Sequence, residues 1–392
     1  MADKRYDVVI IGGGAMGSSV AFFLKHELKF PGSVAVIERD PTFTTASTML
    51  STQGIRLQFS TPENIHLSAF GVEFITSLKD RFGPQADGGF KEQGYLILGS
   101  PEQRHIIESN ATIQNREGAA TMVLERDGLA ERFPYLNLDG VVAGSYGPKR
   151  EGWFDVANMH GVYRSKAKEA GADLLTGEVV GIERAGDKLT GVTLASGETI
   201  AAGSIVLATG RLAGRVAKLA GVDLPVEGRK RSAFVIHCRN APQTMPLLTD
   251  TTGVWLRPEG HYHLCGWSPP EADDPTADPN DFEPVYSQFE EVCWPAIANR
   301  IPAFEETKLV RAYAGHYDYN TFDQNAVIGR HPEIGNLFMI NGFSGHGVQQ
   351  SAGAGRAVAE LIAHGRFVSI DLTAFGYERI RDNKPVLEVN II

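Results

Sequence analysis

The strongest constraint on the fold is a glycine-rich turn that follows directly on the first strand-like segment. Residues 6–11 are apolar and β-branched, which is typical of a strand buried on both faces of a parallel sheet. Residues 12–17 satisfy the pattern G-x-G-x-x-G, and a helical pattern over 18–28 and a second strand over 33–37 follow. This order of elements predicts a Rossmann-like β-α-β unit that binds the ADP part of a dinucleotide.

Each position of the turn has a predicted role at the nucleotide. Gly12 would permit the tight turn, Gly14 would let the backbone approach a pyrophosphate, and Gly17 would let helix and strand pack closely. The helix N-terminus would offer free N–H groups and partial positive charge to the anion. The predicted cofactor-binding set therefore also includes Ala15 and Met16, which lie inside the turn.

An acidic residue ends the second strand. Glu38 lies about 20 residues beyond the turn, where a carboxylate accepts hydrogen bonds from the adenosine ribose hydroxyls. An acid at this position disfavours a ribose 2′-phosphate and therefore NADP. Arg39 follows directly and could stack on adenine, although a solvated surface arginine is the alternative.

Two later segments favour FAD over NAD. Residues 204–210 read as a buried strand that ends in Thr209 and Gly210. Residues 336–340 read as another strand, and the glycine-rich loop 341–347 leads from it into a helix of small residues. A flavin ring lies far from its adenosine, and its reduction places negative charge where a second helix N-terminus is stabilising.

These motifs, taken together, resemble the D-amino-acid oxidase superfamily, which includes glycine oxidase, sarcosine oxidase and dimethylglycine dehydrogenase. The likeness rests on residues 8–17, residues 342–347, Ala46-Ser47-Thr48 and Gln53-Gly54. Within the superfamily, residues 58–65, 317–325 and 390–392 are most similar to the FAD-dependent oxidoreductase domain-containing proteins linked to mitochondrial complex I assembly. The resemblance covers essentially the whole chain.

The resemblance implies an α/β enzyme of two domains, with a Rossmann-like FAD-binding domain and a second, mainly antiparallel substrate domain. The FAD-binding domain would be discontinuous, comprising residues 1–85, 146–228 and 326–375. The substrate domain would comprise 86–145 and 229–325, with 376–392 as a C-terminal tail. Such enzymes oxidise an amine, usually an N-substituted amino acid, by hydride transfer to flavin N5, and the imine product hydrolyses.

The resemblance also extends the predicted cofactor-binding set beyond the first turn and Glu38. The added residues come from the shared motifs and from the segments expected beside the adenosine and the flavin. They are Ser47, Thr48, Gln53, Gly54, Val179, Thr209, Gly210, Gly342, Ser344, Gly345, His346, Gly347, Val348 and Gln349.

Departures from the family pattern bear on how the flavin is held. A cysteine that attaches to the flavin in monomeric sarcosine oxidases corresponds to about Gly315, and a histidyl attachment in the dimethylglycine dehydrogenase branch corresponds to Met49-Leu50. The sequence therefore predicts non-covalent FAD. Two lysines of the sarcosine oxidases correspond to Gln349 and to one of residues 261–263, which puts simple sarcosine turnover and fast oxidase activity in doubt.

Five side chains are candidates for the catalytic centre. Arg56 lies in the loop expected beside the flavin, where it would contact the ring or form a structural salt bridge. Tyr317 and Tyr319 belong to a polar-aromatic loop that should approach the flavin. His263 lies on the expected substrate sheet, and His346 is either a base or a residue that packs locally.

Composition excludes several classes of protein. A net charge of -10 argues against nucleic-acid binding, and the basic cluster 228–231 is interpreted as a solvated strand entrance. The three cysteines form no C-x-x-C pair, and the sequence predicts no metal site. No apolar run approaches the roughly 20 residues that span a bilayer. Because only residues 1–5 precede the first strand, we expect no targeting peptide and a cytoplasmic location.

The remaining interpretations concern partners and alternative functions. Residues 269–275 are interpreted as a solvated, proline-rich surface loop. The expected partner is a small amine or amino-acid substrate, and the electron acceptor (oxygen, a quinone or an electron-transfer protein) stays open. One alternative is an FAD-dependent 2-hydroxy-acid dehydrogenase, which would need a base such as His346 or His263. Another is an assembly or binding factor with structural FAD.

Overall fold

The computed structural model describes residues 4–389 of the 392-residue chain. Residues 1–3 lie outside this range, and so does the motif 390–392, part of the predicted tail and one of the segments that carry the family resemblance.

The strands, in chain order, are β1 (Lys4–Ile11), β2 (Val34–Glu38), β3 (Gly54–Ile55), β4 (Tyr95–Gly99), β5 (Met122–Glu125), β6 (Ala143–Gly147), β7 (Gly152–Trp153), β8 (Ala172–Thr176), β9 (Val179–Ala185), β10 (Lys188–Leu194), β11 (Thr199–Leu207), β12 (Val226–His237), β13 (Leu247–Thr249), β14 (Val254–Glu259), β15 (Tyr262–Trp267), β16 (Lys308–Asn320), β17 (Val327–Arg330) and β18 (Leu337–Asn341).

The helices are α1 (Ala15–Phe22), α2 (Pro62–Phe82), α3 (Arg104–Arg116), α4 (Arg126–Arg132), α5 (Val156–Glu169), α6 (Ala213–Leu219), α7 (Tyr286–Gln288), α8 (Trp294–Arg300), α9 (Gly347–His364) and α10 (Glu378–Arg381). A π-helical turn, Phe23–Glu27, extends α1. Within residues 4–389, no helix has both the length and the apolar character needed to cross a bilayer.

The first sheet carries the predicted Rossmann-like unit. Its strands run in the order β17-β18-β11-β1-β2-β8, and β9 and β10 add an antiparallel extension beside β11. The pairs β18–β11, β11–β1, β1–β2 and β2–β8 are parallel. Because parallel strands place their carboxyl ends on one edge, the loops that follow β1, β2, β11 and β18 meet there. Val9 and Ile10 are fully buried at the centre of β1, as the β-branched pattern predicts.

The second sheet is mainly antiparallel, with the order β16-β12-β15-β14-β13-β4-β6-β5, and the pair β13–β4 is parallel. The two sheets agree with the predicted fold class. The strands of the first sheet fall within the three predicted FAD-binding segments, whereas β12 begins at Val226 and crosses the expected boundary at 228. The domain limits themselves stay a prediction.

Small residues let α9 pack closely on α1 and α2. The Ser19 hydroxyl on α1 donates a hydrogen bond to the Ser351 carbonyl on α9 at 2.7 Å, so a side chain of α1 contacts the backbone of α9 directly. A Cβ added at Gly355 would lie 2.1 Å from the Ser19 hydroxyl, and one added at Gly353 would lie 2.9 Å from Leu67 on α2. Close packing therefore requires the small residues of α9. This packing fixes the start of α9, where the preceding loop ends.

The basic cluster 228–231 is not a solvated strand entrance, so that interpretation was wrong. It lies within the long strand β12, where Arg229 stacks over Tyr319 at 4.9 Å and Arg231 over Tyr317 at 4.8 Å. Arg231 also forms a two-point ion pair with Asp274, with both distances 2.6 Å. Residues 270–273 and 275 are exposed, so the proline-rich segment is a surface loop as predicted, and the buried Asp274 ties it to the second sheet.

The C-terminal segment caps helix α2. The carboxylate of Glu388 accepts hydrogen bonds from the Ser60 amide, the Thr61 hydroxyl at 2.7 Å and Asn64 Nδ2 at 2.8 Å. A carboxylate at a helix N-terminus satisfies amide donors that have no partner inside the helix. This contact holds the segment around Glu388 against the segment that follows Arg56.

A buried ion pair joins the tail to the segment 317–325. Asp323 and Arg379 contact each other through two bonds of 2.7 and 3.0 Å, and both side chains are buried. Asn325 accepts a bond from Asn64 at 2.8 Å and donates one to the Val386 carbonyl at 2.7 Å. The segments 58–65 and 317–325, which carry the family resemblance, therefore meet in one polar network.

We predict that Asp323→Asn lowers the free energy of unfolding by about 3–5 kcal/mol, because it leaves Arg379 buried without a counter-charge. Denaturant unfolding followed by circular dichroism measures the change. The control is Glu108→Gln, which breaks the exposed Arg104–Glu108 pair and should cost less than about 1 kcal/mol. Equal effects of the two variants would contradict the assignment.

Candidate functional site

A deep cleft lies between the carboxyl edge of the first sheet and one face of the second. It encloses about 1580 Å³ of empty space, part of it open to solvent. Many of the predicted site residues line it, and they come from segments far apart in the chain. They are Gly12, Gly14, Ala15, Met16, Glu38, Arg39, Ser47, Thr48, Val179, Thr209, Gly210, Tyr317, Gly345, Gly347 and Val348.

The turn after β1 has the geometry that its glycines predict. Gly12 has φ +99°, and an added Cβ would lie 2.2 Å from the Ala208 carbonyl oxygen of the strand beside it. A Cβ at Gly17 would lie 1.9 Å from the Gly12 carbonyl oxygen, so the first turn of α1 packs directly on the loop. A side chain at either position would push the loop away from the sheet edge.

The carbonyl of Gly13 is fixed by two donors below the turn. The Ser18 hydroxyl donates to it at 2.6 Å, and His160 Nε2 lies 2.8 Å from it on helix α5. Burial lowers the pKa of His160 to about 4, so the ring is neutral near pH 7 and donates this one N–H. Because C=O and N–H of a trans peptide point to opposite sides, the Gly14 N–H faces away from His160.

Polar side chains complete the nucleotide end of the cleft. Glu38 accepts from the Gly13 amide at 2.8 Å and from the Asp40 amide at 2.9 Å, which leaves lone pairs of its carboxylate for other donors. Thr48 accepts from the Ala15 amide at 2.9 Å, so its hydroxyl lies at the N-terminus of α1. Its own proton remains available to an acceptor.

The loop between β18 and α9 is held by Asp318. Its carboxylate accepts from the Gly342 amide at 2.8 Å, and its carbonyl accepts from the Ser344 amide at 3.0 Å. Burial raises the pKa of Asp318 to about 6, although backbone N–H donors oppose the shift. Gly345, with φ +94°, lets the loop pass over the Tyr317 ring, where an added Cβ would lie 2.8 Å from a ring carbon.

Arg56 and His346 contact each other beside this loop. Arg56 Nη2 donates to His346 Nε2 at 3.0 Å, because a guanidinium has no acceptor. The guanidinium carbon lies 4.7 Å from the centre of Phe59 and 5.5 Å from the centre of Tyr95. Burial and the charge of Arg56 lower the pKa of His346 well below its usual range, so this histidine is neutral. Within residues 4–389, no carboxylate lies within 4.0 Å of the Arg56 guanidinium.

A buried acid holds the segment after β3 that carries Arg56. Glu151 accepts from the Leu57 amide at 2.8 Å and from Gln58 Nε2 at 2.7 Å. Burial raises the pKa of Glu151 to about 7, while the charge of Arg56 lowers it. Gln349 holds the other side of the segment, since its side-chain oxygen accepts from the Arg56 amide at 2.8 Å.

Several predicted residues do not reach the cleft. His263 is fully buried in the second sheet, where Nε2 lies 2.9 Å from the Pro242 carbonyl and the ring packs on Phe304. Tyr317 and Tyr319 belong to strand β16 rather than a loop, and only Tyr317 lines the cleft. The other predicted residues that lie behind the lining are Gly17, Gln53, Gly54, Arg56, Gly342, Ser344, His346 and Gln349.

Sequence reasoning missed several polar residues in or behind the cleft wall. Arg211, Arg231, His316 and Asp318 line the cleft, and His160 supports it from behind. Of these, Arg211 had a local signal, since it follows the predicted Thr209-Gly210 turn directly. The others depend on strand register and helix packing, which local patterns do not determine.

The chain matches the protein-family model described as DAO, FAD dependent oxidoreductase, over residues 7–361. The chain therefore belongs to this family of FAD-dependent oxidoreductases.

Individual relatives agree with this assignment. The FAD-dependent oxidoreductase domain-containing protein 1 of Xenopus laevis is 40% identical over 99% of this chain and 85% of its own length. Mitochondrial sarcosine dehydrogenase of Mus musculus is 25% identical over 92% of this chain and 40% of its own length. The crystal structure of L-proline dehydrogenase from P. horikoshii superposes with a TM-score of 0.86 at 28% identity, covering 98% of this chain and 100% of that one. These comparisons confirm the predicted superfamily, the fold class and FAD as the cofactor.

The residues in the cleft fit an FAD molecule. A helix N-terminus and the Glu38 carboxylate lie at one end, and a second helix start lies at the other. The Thr209 hydroxyl is buried beside the cleft without a hydrogen-bond partner among the described residues, as expected of a group that a ligand satisfies. Glu38 and Thr48 would hold the adenosine and phosphate end, and the loop before α9 would hold the flavin end.

Both positions expected for covalent attachment meet in the cleft, and neither carries a nucleophile. An added Cβ at Gly315 would lie 2.9 Å from the Leu50 Cβ. The cysteines at 238, 265 and 293 are buried in the core of the second sheet. Non-covalent FAD stays our prediction, and acid precipitation that left flavin in the protein pellet would contradict it.

We predict that His160 makes stability depend on pH. Its pKa falls from 6.5 in the unfolded chain to about 4 in the fold, so the unfolded state binds more protons between these values. Stability is therefore fully present above pH 6.5 and is lost as the pH falls towards 4. His160→Gln keeps a donor near Gly13 but does not titrate.

The measurement is denaturant unfolding of wild type and His160→Gln at about pH 7 and about pH 5. Relative to the variant, wild type should lose roughly 1–2 kcal/mol at the lower pH. A difference between the two proteins that does not change with pH would refute the burial of a neutral His160.

Proposed function

We propose that this protein uses FAD to oxidise the C–N bond of an amine, and that its substrates are secondary amino acids. The observation that carries the proposal is the environment of Arg56. This side chain is buried next to the loop before α9, behind the residues that line the cleft, and lacks a carboxylate within ion-pair distance among residues 4–389. Burial holds the pKa of the neighbouring acid Glu151 at about 7, so this carboxyl compensates the guanidinium only in part. A substrate carboxylate that reached Arg56 from the cleft would complete the compensation.

Arg56 is fixed for this role by its surroundings. Its Nη2 donates to His346 at 3.0 Å and its Nε to the Gln58 carbonyl at 3.4 Å. Phe59 and Tyr95 face the guanidinium and limit its movement. Further N–H donors of the fork remain for a carboxylate, which a guanidinium binds in a two-point geometry.

The two histidines predicted as candidate bases, His346 and His263, favour an amine over a hydroxy acid. An alcohol needs a base when its carbon loses hydride, whereas a neutral amine uses its own nitrogen lone pair. His346 has its Nε2 lone pair committed to Arg56, and His263 lies in the core of the second sheet. Neither is placed as a free base.

The relatives support the same class of substrate. Sarcosine dehydrogenase and L-proline dehydrogenase are named for secondary amino acids, in which one molecule carries both the amine and the carboxylate. When bound, the flavin supplies the electron acceptor for the C–H bond beside nitrogen. The protein then has to hold the carboxylate at Arg56 and exclude water, and the Trp255 and Leu50 side chains on the cleft wall serve the second task.

The proposal is tested by anaerobic bleaching of the flavin band. The panel contains N-methyl amino acids and proline, the corresponding primary amino acids, and 2-hydroxy acids of the same side chains. We expect reduction by the secondary amino acids and a much slower response to the rest. Reduction by hydroxy acids alone would overturn the proposal, and no reduction by any member would favour an assembly factor with structural FAD.

We predict that Arg56→Gln raises KM for a secondary amino acid by about 10- to 100-fold, because a charge-assisted hydrogen bond contributes roughly 1.5–3 kcal/mol. Turnover of a secondary amine without a carboxylate should change little. Arg104→Gln, at an exposed position on α3, is the matched control. Equal losses with both kinds of substrate would show that Arg56 supports the fold of the site and does not bind the carboxylate.

A further inference from the structure

Among residues 4–389, three arginines line the cleft, and their charges are not equally compensated. Arg39 is exposed, and Arg231 is neutralised by its two-point ion pair with Asp274. Arg211 is 9% exposed, and within residues 4–389 no carboxylate lies within 4.0 Å of it. The cleft therefore contains one buried guanidinium whose charge the described part of the chain leaves unpaired.

Arg211 bridges two walls of the cleft. Its Nη1 donates to the Thr45 carbonyl at 2.8 Å, and its Nε donates to the Pro279 carbonyl at 3.2 Å. Its guanidinium carbon lies 5.0 Å from the centre of the Phe282 ring. The planar group is held on both sides before any ligand arrives, and its Nη2 makes no hydrogen bond to a described residue.

The electrostatic environment of Arg211 calls for an anion. Burial lowers the pKa of Arg211 to about 10, and the charge of Arg39 acts in the same direction, while Glu38 opposes both. These neighbours place Arg211 close to the nucleotide end of the cleft. The diphosphate is the anionic group of FAD, and it belongs at that end, next to the N-terminus of α1.

We propose that Arg211 binds the diphosphate of the cofactor, opposite the amides at the N-terminus of α1. Backbone N–H groups of the turn after β1 would contact the anion from one side, and the guanidinium after β11 would contact it from the other. Two-point hydrogen bonding by a fixed guanidinium suits a phosphate. The same side chain ties the segment that carries Pro279 to the cleft, so the bound diphosphate would also hold that segment.

The experiment compares adenosine with ADP as ligands of the FAD-free protein, using titration calorimetry or competition against FAD. The ratio of their dissociation constants isolates the contribution of the diphosphate. Arg211→Ala should weaken ADP and FAD binding by on the order of 10- to 100-fold and leave adenosine binding within about twofold. Arg211→Lys, which keeps the charge but loses the fork, should lie between wild type and Arg211→Ala.

Two controls separate charge from structure. Arg215→Ala removes an exposed cation from α6, the helix that follows Arg211, and Lys230→Met breaks the ion pair with Asp281 that also anchors the Pro279 segment. Both variants should keep the wild-type ratio of the dissociation constants for adenosine and ADP. The proposal is overturned if Arg211→Ala leaves the preference for ADP over adenosine unchanged. It is also overturned if Lys230→Met reduces that preference as much as Arg211→Ala does. A folding defect would weaken adenosine and ADP binding equally, which also counts against the proposal.

Discussion

The parallel pairing of β1 with β11 is the constraint on which the rest of the site depends. Val9 lies opposite Ile205 and Ile11 opposite Leu207, so two segments almost 200 residues apart end at the same sheet edge. The Ala208 amide then donates to the Ile11 carbonyl at 2.9 Å, which brings the turn after β11 against the glycine-rich turn. With β18 beside β11, the loop before α9 reaches the same edge, and one cofactor can contact all three loops.

The second sheet supplies what the first sheet lacks. The carboxyl edge of the first sheet offers backbone N–H groups and the Glu38 carboxylate, and side chains of the second sheet form the opposite wall of the cleft. Strands β12, β14 and β16 provide Arg231, Trp255 and Tyr317 as that wall. The Arg56–His346 contact lies beside the loop before α9, so the proposed substrate site would depend on the position of that loop.

The sequence predicts those features of the site that lie within one short segment. It does not predict the contacts that depend on strand register or helix packing. The turn 12–17 and Glu38 are predictable because strand, glycines, helix and acid follow one another in a short stretch. His263 was placed on the substrate sheet, but alternation along a strand does not say which face meets the cleft, and this side chain lies in the core. His160 gave no local signal, because its contact with Gly13 depends on how α5 packs beneath the turn.

In the proposed reaction the lone pair of the amine drives C–N oxidation, and His346 does not act as a base. The most direct test is the limiting rate of anaerobic flavin reduction as a function of pH, in wild type and in His346→Asn, at saturating secondary amino acid. We expect both rates to rise with pH with the same apparent pKa, that of the substrate amine. The two rates should stay within about tenfold of each other. A loss of about 10²–10⁴ in the variant at every pH, the usual effect of removing a general base, would contradict it.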